Sequence, residues 1–194
     1  MPAQLTPETE QRLQAYSQLL LTWTRRINLI SAADQPHIWT RHIHDSLRLI
    51  PHIPEGTTRA IDLGSGAGLP GLVLAIATGI QFDLIESDRR KAAFLLEAAR
   101  VTGAPAKIHP TRIEDTAIPP APLITARALA PLEKLLALAT PLLAPGGTML
   151  FLKGARAPEE IAAARQTWTF DCAIHGEDHP ILAITNPHRA HAHA

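Results

Sequence analysis

The chain has 194 residues, 46% hydrophobic and 19% charged, with eighteen basic side chains balancing eighteen acidic ones. That length supports one full domain with a substantial core, and the excess of aliphatic residues and alanine over aromatics reads as a soluble α/β domain. The charge balance excludes a bulk field for nucleic acid, leaving only a local patch; no apolar run is long enough to cross a membrane, MPAQLTPETE lacks the regions of a secretory signal, and the lone Cys172 excludes an internal disulfide and fits a reducing cytoplasm.

Thr6-Pro7-Glu8 opens a helix: a capping threonine, proline at the first helical position, then an acid at the positive end. Leu13, Tyr16, Leu20, Trp23 and Ile27 follow at helical spacing as a packing stripe. A second helix is expected over His37 to Ile50, with Ile43, Leu47 and Ile50 on its apolar face. Pro51 to Gly56 then reads as a connector. Residues 1–56 are thus expected as an N-terminal helical extension packed on a core of residues 57–194, in one structural domain.

From Arg59 onward short apolar runs alternate with helical segments, which argues for a mostly parallel sheet. Strands are expected at Arg59–Leu63, Gln81–Glu86, Ala106–His109, Leu123–Ala126 and Thr148–Leu152, with Thr169–Ile174 and Ile181–Thr185 as an antiparallel end. Helices are expected near Leu69–Thr78, Arg89–Thr102, Pro131–Leu143 and Pro158–Gln166. Pro145-Gly146-Gly147 reads as a tight turn into the fifth strand.

The most informative stretch is Ala60-Ile-Asp-Leu-Gly-Ser-Gly-Ala-Gly-Leu-Pro-Gly71. A strand carrying Asp62 breaks into glycines at 64, 66, 68 and 71, which let the backbone turn and a ligand approach it closely. The segment from Leu69 then opens a helix whose amides face the same ligand. Two nucleotide readings compete. Gly66-x-Gly68-x-x-Gly71 with Glu86 twenty residues beyond Gly66 matches a dinucleotide fingerprint. The register favours the other: Gly64 is the first glycine after the strand, and Asp62-x-Gly64-x-Gly66-x-Gly68 looks like the loop of class I S-adenosylmethionine (SAM) methyltransferases. Seven strands ending in a hairpin suit that fold.

Ligands of open α/β sheets bind outside the C-terminal strand ends. Glu86, ending the second strand, is placed to accept ribose hydroxyls. Ile113-Glu114 after the third strand is placed to flank an adenine. Arg127 after the fourth strand offers a planar fork to a carboxylate or phosphate. Thr125-Ala-Arg-Ala128 lacks the Asp/Asn-Pro-Pro-aromatic arrangement of enzymes that methylate exocyclic amines. Cys172 lies too far downstream to serve as the thiolate of cytosine C5 methylation. A ring nitrogen such as guanine N7 already carries a free lone pair, so proximity and alignment suffice and no general base is expected. His42-x-His44-Asp45 resembles a metal cluster, but helical residues two apart point about 200° from each other, and no functional metal is expected. The tail histidines are at most adventitious ligands.

The combination of Ile27-Asn-Leu-Ile30, Arg41-His-Ile-His-Asp-Ser-Leu47, Asp62 to Gly71, Glu86-Ser-Asp-Arg-Arg-Lys91 with Phe94-Leu95, Arg127-Ala-Leu-Ala-Pro-Leu132 and Leu152-Lys-Gly154 resembles the bacterial small-subunit ribosomal RNA guanine-N7 methyltransferases. These are also called the glucose-inhibited division protein B family, and the likeness runs from Trp23 to Gly154. It implies a Rossmann-like, seven-stranded class I fold with an N-terminal helical extension, and SAM-dependent N7 methylation of a guanine in the 530 loop of 16S ribosomal RNA. The acceptor is the RNA itself or the small ribosomal subunit, in the cytoplasm. Asp62, Gly64, Gly66, Gly68, Leu69, Glu86, Ile113, Glu114 and Arg127 become the expected cofactor-binding residues. Arg41, His42, Arg127 and Lys153 become positioning candidates, with Arg41 and Lys153 leading as phosphate contacts. The chain departs from many relatives in ending Asn186-Pro-His-Arg-Ala-His-Ala-His-Ala194 where they carry a basic, proline-containing segment. Two alternatives stand beside this reading: a SAM enzyme acting on a small molecule or protein, and a dinucleotide-binding module without catalysis.

Overall fold

The computed structural model describes residues 5–190. The tail histidines His191 and His193 lie outside the described residues. Helix α1, Pro7–Thr24, starts where the threonine side chain of Thr6 accepts the amide of Thr9. It buries Leu13, Tyr16 and Leu20 completely.

The expected second helix is instead a series of short turns. A 3-10 turn at Gln35–His37 leads into a π-helical turn at Trp39–Ile43, a single α-turn α2 at His44–Leu47, and another 3-10 turn at Ile50–His52. His42 and Ile43 at the end of the π-turn are both buried. The Ser46 hydroxyl donates back to the His42 carbonyl at 2.7 Å.

The core alternates β1 (Arg59–Leu63), α3 (Gly71–Thr78), β2 (Gln81–Ile85), α4 (Arg89–Thr102), β3 (Ala106–His109), β4 (Ala121–Arg127), α5 (Leu132–Ala139), β5 (Leu143–Leu152), α6 (Ala157–Ala164), β6 (Trp168–His175) and β7 (Ile181–Arg189). The seven strands form one sheet in the order β3-β2-β1-β4-β5-β7-β6, in which only β7 runs opposite to the rest, antiparallel to both β5 and its hairpin partner β6. This is a class I methyltransferase fold. Alternate strand residues feed two apolar layers. Ala60, Leu123 and Leu150 face the side that packs α1, α3 and α4, while Ile61, Ile124 and Phe151 face the side of α5 and α6.

Several boundaries differ from expectation: β2 ends at Ile85, β4, β6 and β7 run longer, α6 spans Ala157–Ala164, and three further differences have a local cause. Helix α3 begins at Gly71, not Leu69, because the loop continues through Pro70. The helix expected to reach Leu143 stops at Ala139 and closes with a 3-10 turn containing Pro141, whose nitrogen has no proton to continue the ladder. Pro145-Gly146-Gly147 is not a turn before the fifth strand but an irregularity inside it. The pairing of β4 with β5 shifts register between Ala121 and Leu123, and Gly146 takes φ +71° there. No helix among the described residues is long and apolar enough to cross a membrane.

Candidate active site

The strand order reverses beside β1, which pairs with β2 on one side and β4 on the other. That switch point is where open α/β sheets hold ligands, and the glycine loop after β1 lies there. The loop is pinned from three directions. The Ser65 amide donates to the Ile85 carbonyl at 3.0 Å, the Gly66 amide donates to Glu86 Oε2 at 2.8 Å, and the buried Tyr16 hydroxyl of α1 donates to the Ala67 carbonyl at 2.7 Å. Gly64 and Gly66 have φ of +63° and +54°, a region unfavourable to side-chain-bearing residues. A Cβ on Gly64 would come within 2.5 Å of Leu129 Cδ1, whereas one on Gly66 would meet nothing nearer than the Gly64 carbonyl at 3.8 Å. The Gly66 backbone therefore presents an open face.

That face borders a cavity of about 340 Å³ that brings together Gly64, Gly66, Glu86, Ile113, Glu114 and Arg127 from four separate loops. Lys91, expected from the sequence as part of an Arg89-Arg90-Lys91 phosphate cluster, also lines it, as do Arg112 and Lys134, which as single surface cations carry no signal in the sequence. Three expected residues do not line the cavity. Asp62 is fully buried beneath the loop, where its Oδ1 accepts the Thr125 hydroxyl at 2.6 Å. Burial pushes its carboxyl up to about 6. Gly68 backs onto Leu72 and Leu95, and Leu69 packs, partly buried, against the apolar layer that holds them. Their contribution is to loop shape.

Glu86 is only 8% exposed. Its Oε2 takes the Gly66 amide and its Oε1 the Asp88 amide at 2.7 Å. Each oxygen keeps a further accepting site. An open glycine backbone, a carboxylate with accepting capacity and the apolar Ile113 fit an adenosine-bearing cofactor.

Arg127, the last residue of β4, lines that cavity and extends its guanidinium to the π-turn and α2. Its Nη2 donates to the Arg41 carbonyl at 3.1 Å and meets His42 Nδ1 at 2.9 Å, and its Nη1 lies 3.6 Å from Asp45 Oδ2. A guanidinium only donates, so His42 Nδ1 accepts and the imidazole is neutral with its proton on Nε2. Burial, then the charge of Arg127, hold the His42 pKa below the usual histidine range. Arg41 extends outward, 61% exposed, and pairs with Asp34 at 2.9 Å.

Lys153 departs from the expectation of a free phosphate contact. Its side chain is 8% exposed, and Nζ donates to the Ala130 carbonyl at 2.8 Å and to Glu160 Oε2 at 2.7 Å. The same Glu160 oxygen accepts the Leu132 amide at 2.8 Å. Lys153 thus staples the loop between β4 and α5. At the C-terminal end, Arg189 belongs to β7 and stacks its guanidinium 4.4 Å from the Trp168 ring centre.

The family model for GidB, rRNA small subunit methyltransferase G, matches residues 9–183. The chain belongs to this family. It is 56% identical over 159 residues to the ribosomal RNA small subunit methyltransferase G of Acidiphilium cryptum, covering 80% of this chain and 73% of that one. It is 52% identical to the Gluconobacter oxydans protein of the same description, covering 86% of each. Among solved structures it shares the fold of an O-methyltransferase from Bacillus cereus in complex with SAH, at TM-score 0.58 and 13% identity over 95% of this chain and 93% of that one. It shares it also with a ribosomal protein L11 methylase from Lactobacillus delbrueckii, at TM-score 0.60 and 18% identity over 76% and 79%.

Proposed function

We propose that this protein transfers a methyl group from SAM to N7 of a guanine in the 530 loop of 16S ribosomal RNA. Membership of the family makes it a SAM-dependent methyltransferase of small-subunit ribosomal RNA. The observation that carries the finer reading is the pair of cavities meeting at the Arg127–Ala130 segment. One holds the glycine loop and Glu86, and the other is lined by the polar side chains of Asp45, Arg127, Lys153 and Glu160.

Bound in the first cavity, SAM supplies an electrophilic methyl group on its sulfonium. Gly64 and Gly66 let the backbone approach it, Glu86 accepts the ribose hydroxyls, and Ile113 with Glu114 flanks the adenine. Asp62, Gly68 and Leu69 hold the loop's shape from behind. The acceptor N7 has a lone pair in the neutral base, so the protein's task is alignment and charge balance. His42 fits that role: its Nδ1 lone pair is taken by Arg127, so it serves to position, not to remove a proton. Cys172 sits on β6 opposite Ile184, away from the cavity-bearing strand ends. Arg41 and the Arg89-Arg90-Lys91 start of α4 are the phosphate contacts of this reading.

The acceptor is encountered in the cytoplasm, and the neutral net charge favours a pre-shaped small subunit over loose RNA. Purified protein, labelled SAM, and small subunits or naked 16S RNA from cells lacking the enzyme provide the test. Label in N7-methylguanine of the 530 loop supports the proposal. Label only in protein or in a small molecule overturns it.

A further inference from the structure

Asp45, on the α2 turn, lines both cavities on the acceptor side of Arg127. The larger of these, about 470 Å³, shares the Arg127–Ala130 segment with the cofactor cavity. A base seated in it therefore lies beside a cofactor seated in the other.

The carboxylates lining the two acceptor-side cavities are Asp34, Asp45 and Glu160. Asp34 is held by the Ser31 hydroxyl at 2.6 Å and by Arg41. Glu160 is held by Lys153 and the Leu132 amide. Asp45 differs. Arg48 Nη1 donates to its Oδ1 at 2.8 Å and is itself anchored, through Nη2, on the His179 carbonyl at 2.7 Å. Its Oδ2 faces Arg127 Nη1 at 3.6 Å, beyond hydrogen-bond length, and has no donor among the described residues. The side chain is 20% exposed. It is thus oriented by two arginines while one oxygen stays available.

We propose that Asp45 reads the Watson–Crick edge of the acceptor guanine. The inference rests on the reaction proposed above. Enzymes that act on a base take it out of the stack and read it on that edge. Guanine offers two adjacent donors there, N1–H and the N2 amino group, and a carboxylate accepts both. Adenine offers an unprotonated N1, which would face the carboxylate lone pair to lone pair and leave a desolvated charge unpaired. Sites built this way reject the mismatched partner strongly. N7 lies on the opposite edge of the purine, so this contact leaves it clear for the methyl group. Asp45 is a specificity residue in this scheme, and Arg48 and Arg127 position it.

The test uses reconstituted small subunits carrying guanine or inosine at the target position. Inosine keeps N7, O6 and N1–H but lacks the N2 amino group. Wild-type protein is expected to methylate guanine at least about tenfold faster than inosine in single turnover. Asp45→Asn, nearly equal in volume, and Asp45→Ala are expected to lose that preference and to slow guanine methylation by about tenfold or more. Calorimetric SAM affinity should remain within about twofold in a folded variant. If Asp45→Ala does not fold, the Asn variant carries the test. Variants that keep the wild-type guanine-to-inosine ratio, or a wild type without preference, overturn the role of Asp45. A wild type that methylates neither substrate overturns the underlying reaction as well.

Discussion

Replacing Lys153 with methionine separates a structural staple from an RNA contact. The ammonium group bridges the Ala130 carbonyl and Glu160, which in turn holds the Leu132 amide, so one side chain ties β5 and α6 to the loop between β4 and α5. Breaking one side of a buried ion pair costs about 3–5 kcal/mol. Glu160 is 23% exposed and water relieves part of that penalty, so about 2–3 kcal/mol is expected, in line with the loss of charge-assisted hydrogen bonds. Methionine keeps the apolar stem and confines the change to the charge. Urea unfolding at pH 7 should show the lowered midpoint, and methylation should fall because the loosened loop borders both cavities. The salt dependence of RNA binding should match wild type, because the ammonium faces inward. Unchanged stability with a salt slope reduced by about one would refute the reasoning and make Lys153 a phosphate contact.

Gly66→Val should abolish SAM binding by calorimetry and leave the protein folded, because its side chain would enter the open face of the loop at a backbone angle costing about 1–2 kcal/mol; normal SAM affinity would displace the cofactor from that face. Tyr16→Phe removes the hydroxyl held at 2.7 Å from the Ala67 carbonyl, and should lower stability by about 1 kcal/mol and weaken SAM binding measurably. The buried Asp62 carboxyl, pushed up to about 6, holds its proton more tightly in the folded state than in the unfolded chain. Its stabilising effect is therefore complete below about pH 4 and is lost by about pH 6, amounting to roughly 3 kcal/mol. Asp62→Asn should lack this part of the pH dependence, and parallel denaturant midpoints for both proteins across that range would contradict it. Arg41→Ala removes an exposed pair worth about 0–1 kcal/mol, so the unfolding midpoint should hold, while RNA methylation falls about tenfold and the salt slope by about one.

What was legible in the sequence was whatever depended on neighbours along the chain. The strand-glycine-helix run from Ala60 to Thr78 and the apolar runs of β2 and β4 announced the sheet and the cofactor loop by local pattern alone. The second helix differs because apolar spacing at Ile43, Leu47 and Ile50 does not distinguish a run of π- and 3-10 turns from one α-helix. Asp62 looked like a ligand contact because its place beside the glycines is local, whereas its partner Thr125 is 63 residues away. Arg127 was rightly placed at a strand end, but its engagement with His42 spans 85 residues. Lys153 read as a free cation because nothing in Leu152-Lys-Gly154 indicates that Ala130 and Glu160 converge on it. Tyr16 was identified as packing, which it is, while the Ala67 carbonyl that its hydroxyl reaches lies across the fold.

The central claim is tested most directly by mapping N7-methylguanine along 16S ribosomal RNA from cells with and without this protein. One modified guanine in the 530 loop is expected, present with the protein and absent without it. An identical N7-methylguanine map in both strains would contradict it.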